Sequence, residues 1–500
     1  MSREPKRVGF LGTFVVTLLI LAMIAATGFV IWQCVDMANK APEQPLPENN
    51  SVVLPTEETE ATTQPPETTP PTTVETVPLP EPETVIATAT ISSQGDLLMH
   101  SPVFASAKQS DGSYDFESIF RYTTDILGSV DYAVANLETT FGGSAHPHVP
   151  NQSFSCPDEL AASAVAAGYD MFVTANNHSG DSMGDGLIRT LEISREAGLD
   201  TLGSQMPEEK RYSIVEINGI KIGMIAYTWA FSGDGSKFSL NGLTAIKDEG
   251  QMNYFTKKNP DKLYKELKPI LEEMEAEGAE ATVLLIHWGE EYELKENAAQ
   301  RKMAQTLCDM GIDVIIGGHA HVVQPMALLE STVDPDHKTI CIYSQGNAVS
   351  NQRTGVSNQF PPGYTEDGVI FTVTFEKYSD GKVYVSATDV IPTWVNMHSN
   401  NGAREYNILP LLKDQEDTWE ESFDLKGNQF TACQKSWDRT MDIVGDGLTA
   451  CQDYLNQAKR DREQYYYDLA FSPEKFAEEA SAETTEAVME ETTAATEEAA

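Results

Sequence analysis

The chain has 500 residues, enough to bury a large core and to form more than one domain. Its 34 Lys and Arg against 76 Asp and Glu give a formal charge of −42. That excludes the basic footprint a nucleic-acid partner needs, and no nucleic-acid partner is expected.

The N-terminal stub "MSREPKR" is basic, and Val8 to Trp32 contains no charged residue. As a helix this run would extend roughly 37 Å, enough to cross a bilayer of about 30 Å. Residues 1–40 are therefore expected to be a cytoplasmic stub and one transmembrane anchor. A cleaved signal is the alternative, but a clear cleavage site is missing. With the basic flank first, the N-terminus is expected in the cytoplasm and the rest outside, as a single-pass protein of the cell membrane. Residues 41–87 are Pro, Thr and Glu without Lys or Arg, and 477–500 are Glu, Thr and Ala without a basic residue. Both lack the apolar surface to offset ordering entropy and are expected to be disordered.

From residue 88 to about 412, strands alternate with helices. "TVIATATISSQGD", "VDYAVANLE", "YDMFVTANNH", "ATVLLIHWGEEYE", "IDVIIGGHAH" and "KTICIYSQGN" have the apolar runs of strands. "DELAASAVAAG", "GLIRTLEISREAG", "DKLYKELKPILEEMEAEG" and "AAQRKMAQTLCDMG" have helical spacing, and each ends at a glycine. This alternation predicts an α/β domain with helices on sheet faces. "GVIFTVTFEKYSDGKVYVSATDV" predicts an antiparallel hairpin turning at "SDGK". Residues 413–476 have helical spacing and are expected to form a helical appendage. Cys433 and Cys451 either bridge two C-terminal segments or stay as free, partly buried thiols.

Ligands of α/β sheets collect beyond the carboxyl ends of strands. Asp96, Glu138, Asn177, His178, His287, His319 and His321 all fall at such ends. Singly, each has an ordinary use: an Asp after a strand forms a turn, and a lone His is a satisfied structural residue. Together they are oxygen and nitrogen donors of the types that hold Zn, Mn or Fe. Only nine His occur in the chain, yet His319 and His321 stand one residue apart just past a strand, behind two glycines that would permit a bend.

"QGDLLMH", "ANLE", "TANNHSGDSMGDG", "IHWGEEYE", "GGHAHVVQP" and "YSQGN" resemble the motif series of the CapA family. These are bacterial poly-γ-glutamate capsule biosynthesis proteins related to the calcineurin-like metallophosphatases. The resemblance covers residues 88–412. It implies a four-layer αββα sandwich holding one or two divalent metal ions (Mn, Zn or Fe). It further implies Asp96, Glu138, Asn177, His287, His319 and His321 as metal ligands, and His178 as the catalytic group that stabilises charge or protonates the leaving group. His100, four residues after Asp96, is either a further ligand or a structural residue. The implied activity is that of a metal-dependent hydrolase, phosphoesterase-like, working in biosynthesis, export or attachment of a capsule or cell-wall polymer. Its partners would be an anionic envelope polymer or phosphoester substrate, the membrane, and membrane proteins of capsule synthesis. The alternative is a non-catalytic, metal-stabilised polymer-binding or scaffold protein of the envelope. The domain's own acidity would repel a polyanion unless bound metal and basic residues such as Arg189 offset it.

Overall fold

The structure is a computed structural model that describes residues 84–149, 153–230, 239–241, 249–256, 260–400 and 402–471. The expected membrane span, the linker up to residue 83 and the acidic tail lie outside these residues. Among the described residues no helix is long and apolar enough to cross a membrane.

The first strands, β1 (Val85–Leu97), β2 (Tyr132–Asn136), β3 (Met171–Val173) and β4 (Asp200–Leu202), run parallel in one sheet. The chain then builds a second sheet from β5 (Ser213–Ile217), β6 (Ile220–Ala230), β7 (Tyr254–Thr256), β8 (Ala281–His287), β9 (Val314–Gly318), β10 (Val323–Glu330) and β11 (Lys338–Gln345). It returns to the first sheet with β12 (Asn347–Val349), β13 (Asp367–Tyr378), β14 (Val383–Asn400) and β15 (Ala403–Pro410). The strand orders are β15-β14-β13-β1-β2-β3-β4, with β12 beside β1, and β10-β11-β9-β8-β6-β5, with β7 beside β6. The "SDGK" hairpin forms as expected between β13 and β14. The sequence reading missed the β5–β6 hairpin, whose turn Asn218-Gly219 has φ of 52° and 83°. Asn-Gly between alternating apolar residues is the usual signal for such a turn.

Side-chain alternation along the strands explains the layers. Tyr132 and Val134 of β2, Val283 and Leu285 of β8, and Val314 and Ile316 of β9 meet in one core between the sheets. Their neighbours Ala133 and Ala135 point to a second core with Leu160, Ala161 and Ala164 of α1 (Glu159–Ala167), beside α2 (Met183–Ala197). Leu284, Ile286 and Ile315 point to a third core, with Leu263, Leu267, Ile270 and Met274 of α3 (Asp261–Ala276) and Met303, Ala304 and Leu307 of α4 (Ala298–Asp309). Three cores separate four layers: helices, sheet, sheet, helices. Strands buried on both faces read as continuous apolar runs, which is why they were visible in the sequence.

Residues 413–476 do contain a long helix, α5 (Gln429–Phe471), of 43 residues and roughly 65 Å. It is built into the domain. Val444, Leu448, Cys451 and Leu455, spaced for one helix face, join the core between the sheets. Gly447 lets the helix press on β10, because a Cβ there would lie 2.0 Å from the Met326 carbonyl oxygen. Farther back, Arg439 grips the buried Asp367 carboxylate, Nε to Oδ2 and Nη2 to Oδ1 both at 2.7 Å. Cys433 and Cys451 are free and buried, in different cores, so the bridge between them is not formed.

Candidate metal centre

The carboxyl ends of β1, β2, β3, β8 and β9 converge. Asp96 is the next-to-last residue of β1, paired in register with Asn136 and Asn347. Its carboxylate accepts from Asn136 Nδ2 at 2.7 Å and lies 3.0 Å from His321 Nδ1. Glu138 follows β2 and is fully buried. Its Oε1 lies 3.6 Å from His287 Nε2, 3.8 Å from His321 Nε2 and 3.9 Å from His178 Nε2. Those separations are too long for hydrogen bonds, and neither carboxylate oxygen has a hydrogen-bond partner. His287 Nε2 lies 2.7 Å from Asn177 Oδ1 and 3.2 Å from His319 Nδ1.

The structure therefore brings together Asp96, Glu138, Asn177, His287, His319 and His321, with His178 at their edge. Two ligand sets emerge, Glu138–His287–His319 and Asp96–Glu138–His321, each with donor atoms within 4.8 Å of one another. Glu138 belongs to both. His100 is in neither: its Nδ1 accepts from the Asn351 backbone N–H at 3.3 Å, and its ring meets Phe154 edge-on. Arg189 is also placed elsewhere, holding both oxygens of Asp158 and the Phe141 carbonyl.

The glycines before His319 serve a purpose other than the expected bend. Positive φ falls on the histidines themselves, 91° at His319 and 56° at His321, a costly conformation that clusters at functional sites. Gly317 instead permits close approach, since a Cβ there would lie 2.0 Å from the Tyr343 carbonyl oxygen.

Electrostatics within the cluster are unbalanced. Burial would raise the Asp96 carboxyl, but the hydrogen bond and charge of His321, aided by His287 and Asn136, hold it below the ordinary range. Burial and the Asp96 carboxylate push Glu138 well above that range. Burial lowers His287 to about 3 and His100 to about 4. Two neighbouring buried carboxyl groups and a ring of imidazoles, with an oxygen pair lacking any donor, make a donor set suited to a divalent cation.

Four supporting residues escaped the sequence reading although they stand inside or beside its motifs. Asp181 Oδ2 lies 2.8 Å from His178 Nδ1 and accepts from the Phe154 N–H, so it fixes the ring and leaves Nε2 facing Glu138. Asn176 donates to Asn136 Oδ1 and the Leu137 carbonyl, and Asn136 donates to Asp96, tying three strand ends together. Asn347 places Oδ1 3.2 Å from His321 Nδ1 and donates to the His321 carbonyl.

A two-sheet α/β sandwich with a buried His, Asp and Glu cluster at its strand ends defines a candidate metalloprotein. The family of bacterial capsule synthesis proteins PGA_cap matches residues 90–352, and the chain belongs to that family, the CapA family. The capsule biosynthesis protein CapA of Bacillus anthracis is 27% identical over 277 residues, spanning 53% of this chain and 60% of that one. The PGA biosynthesis protein CapA of Bacillus subtilis strain 168 is 25% identical over 311 residues, spanning 61% and 73%. Among solved structures, the sulfate thiohydrolase SoxB of Thermus thermophilus, in complex with glycerol, matches at TM-score 0.33 and 13% identity, over 71% of this chain and 60% of that one. The purple acid phosphatase PPD1 of yellow lupin matches at 0.29 and 11%, over 63% and 54%. Both are distant likenesses, and the four layers rest on the chain's own three cores.

Proposed function

We propose that this chain is a membrane-anchored, extracytoplasmic protein with a metal-dependent, hydrolase-like site. It would act in biosynthesis, export or attachment of a capsule or wall polymer of the poly-γ-glutamate kind. The polymer class comes from the relatives named for capsule and PGA biosynthesis, and the anchor from the uncharged run of residues 8–32. The observation that carries the site is Glu138: a buried carboxylate without a donor, ringed by three imidazole nitrogens at 3.6–3.9 Å.

In this reading Asp96 and His321 hold one side of the centre, Asn177, His287 and His319 the other, and Glu138 reaches both. When bound, one or two divalent ions would supply Lewis acidity and an activated water for displacement at phosphorus or an acyl carbon. His178 presents Nε2 at the edge of the cluster, where it holds or delivers a proton to a leaving group. Asp181 would accept from Nδ1–H, orienting the ring and supporting the imidazolium that carries a proton on Nε2. The ligand side chains are almost fully buried, so bulk solvent is kept from the cluster and charge interactions are strengthened.

The test is turnover of an activated phosphoester and of poly-γ-glutamate by the full chain in detergent, with added Mn or Zn. Metal-dependent turnover, reduced about 100-fold by His178→Ala with metal content kept, is the expected result. Bound metal with no turnover on either substrate would replace the enzyme with a metal-stabilised polymer-binding protein. Topology is tested separately. Protease added to intact cells should degrade the bulk of the chain, and protection of it would exclude the extracytoplasmic placement.

A further inference from the structure

Beside the metal cluster lies a second feature with no part in holding metal. The ends of β6, β7 and β8 and the first turns of α3 and α4 enclose a cavity of about 180 Å³. Its walls include Trp229, Phe255, Tyr264 and Trp288. Trp229 stands edge-on to His319 with ring centroids 5.3 Å apart, and Trp288 directly follows His287. The cavity therefore adjoins the candidate centre through Trp229, whose ring meets His319.

The polar groups of the walls are mostly committed. Trp288 stacks on Tyr343 and donates its indole N–H to the Tyr343 carbonyl at 2.9 Å. The Gln300 amide bonds Gln324 and the Asn297 backbone N–H, and Asn297 Oδ1 caps α4. Around this aromatic interior stand Asp261, Glu290 and Lys302. A cavity of about 150 Å³ takes one benzene ring, so this space suits a single six-membered ring. Two carboxylates against one ammonium, on a chain of charge −42, oppose a carboxylate-bearing occupant. A pyranose fits both conditions: its C–H face packs on indole and phenol rings, and its hydroxyls donate to Asp261 and Glu290.

We propose that this cavity is a subsite for an uncharged sugar ring. It would hold the glycan portion of an envelope substrate whose scissile or acceptor bond reaches the metal cluster. The subsite rests on the reading of that cluster as a metal centre acting on an envelope polymer, and it gives the substrate two parts. One is an anionic chain handled at the centre, and the other is a neutral sugar held beside it.

The experiment titrates the full chain in detergent with a β-1,4-linked N-acetylglucosamine tetramer and, separately, with a γ-linked glutamate tetramer. Tryptophan fluorescence is the readout, since Trp229 and Trp288 line the cavity. Metal content and chelator-dependent melting are measured on the same samples. The sugar tetramer should give a saturable change, weakened at least 10-fold by Tyr264→Ala and more mildly by Asp261→Asn, a rim change that leaves the aromatic walls in place. The glutamate tetramer should give no change that depends on Tyr264. The proposal is overturned by any of three results: no saturable response to the sugar, a response untouched by both substitutions, or Tyr264-dependent binding of the glutamate tetramer. Sugar binding without any metal would sink the centre and leave the pocket. Metal-dependent stability without sugar binding would do the reverse.

Discussion

Two buried carboxylates, Glu138 and Asp367, sit in the same domain and are treated oppositely by the fold. Asp367 accepts two hydrogen bonds from Arg439 and one from Ser436, all at 2.7 Å. The chain supplies its countercharge from α5. Glu138 is as deeply buried, has no hydrogen-bond donor, and faces imidazole nitrogens. An uncompensated buried charge costs several kcal/mol or is neutralised. A carboxyl kept in such a place suits a cation from outside the chain, and the difference separates a structural ion pair from a candidate ligand site.

The contrast can be broken from either side. The largest expected effect is on metal: His319→Ala and His321→Ala should each lower bound metal and melting temperature, while His398→Ala, outside the cluster, should do neither. At saturating metal the loss of stability on chelation should be about 4 kcal/mol, for free metal roughly 1,000-fold above its dissociation constant. On the other side, Arg439→Met should destabilise the fold by about 3–5 kcal/mol, because it strands Asp367. It should leave metal content unchanged, and elemental analysis with urea melts separates the two cases. Asp181→Asn should lower turnover about 10-fold or more without unloading metal, less than the loss from His178→Ala, because it alters the ring's support and not the ring. Steady-state rates with metal content measured alongside check this.

A further effect is in pH. Burial outweighs Arg439 and Ser436 and pushes Asp367 up to about 6. Between about 4 and 6 the native state therefore keeps a proton that the unfolded chain, near 3.8, has released. The group's contribution to stability is full below that window and falls as pH rises through it, by an amount on the order of 3 kcal/mol. Asp367→Asn should remove this slope, and denaturant melts at pH 4 and 6.5 on both proteins measure it.

Much of this was legible in sequence for a physical reason. Strands buried on both faces are continuous apolar runs, and donors placed where such runs stop stand out, as Asp96, His287, His319 and His321 do. The illegible parts depend on contacts between distant segments. Asn136 and Asn176 look like turn residues until the strand ends meet, and Asp181 looks like a loop residue until it takes the Nδ1 side of His178. His100 carried the expected residue type near Asp96, yet its ring nitrogen is turned to the Asn351 backbone. The positive φ of His319 and His321 leaves no trace in residue type, since glycines stand just before them. Helix α5 was visible as periodicity, but not its seat in the core, which needs the close approach at Gly447.

Glu138 decides the central claim. Elemental analysis of the full chain, purified without chelator, should find one or two equivalents of a transition metal, and Glu138→Gln should lose most of it. The metal-free Glu138→Gln protein should melt no lower than metal-free wild type, because burial and Asp96 already hold the metal-free carboxyl uncharged and glutamine is its neutral counterpart. A wild-type chain that carries no transition metal, gains no stability from Mn, Zn or Fe, and is destabilised by Glu138→Gln as a structural carboxylate would be, contradicts it.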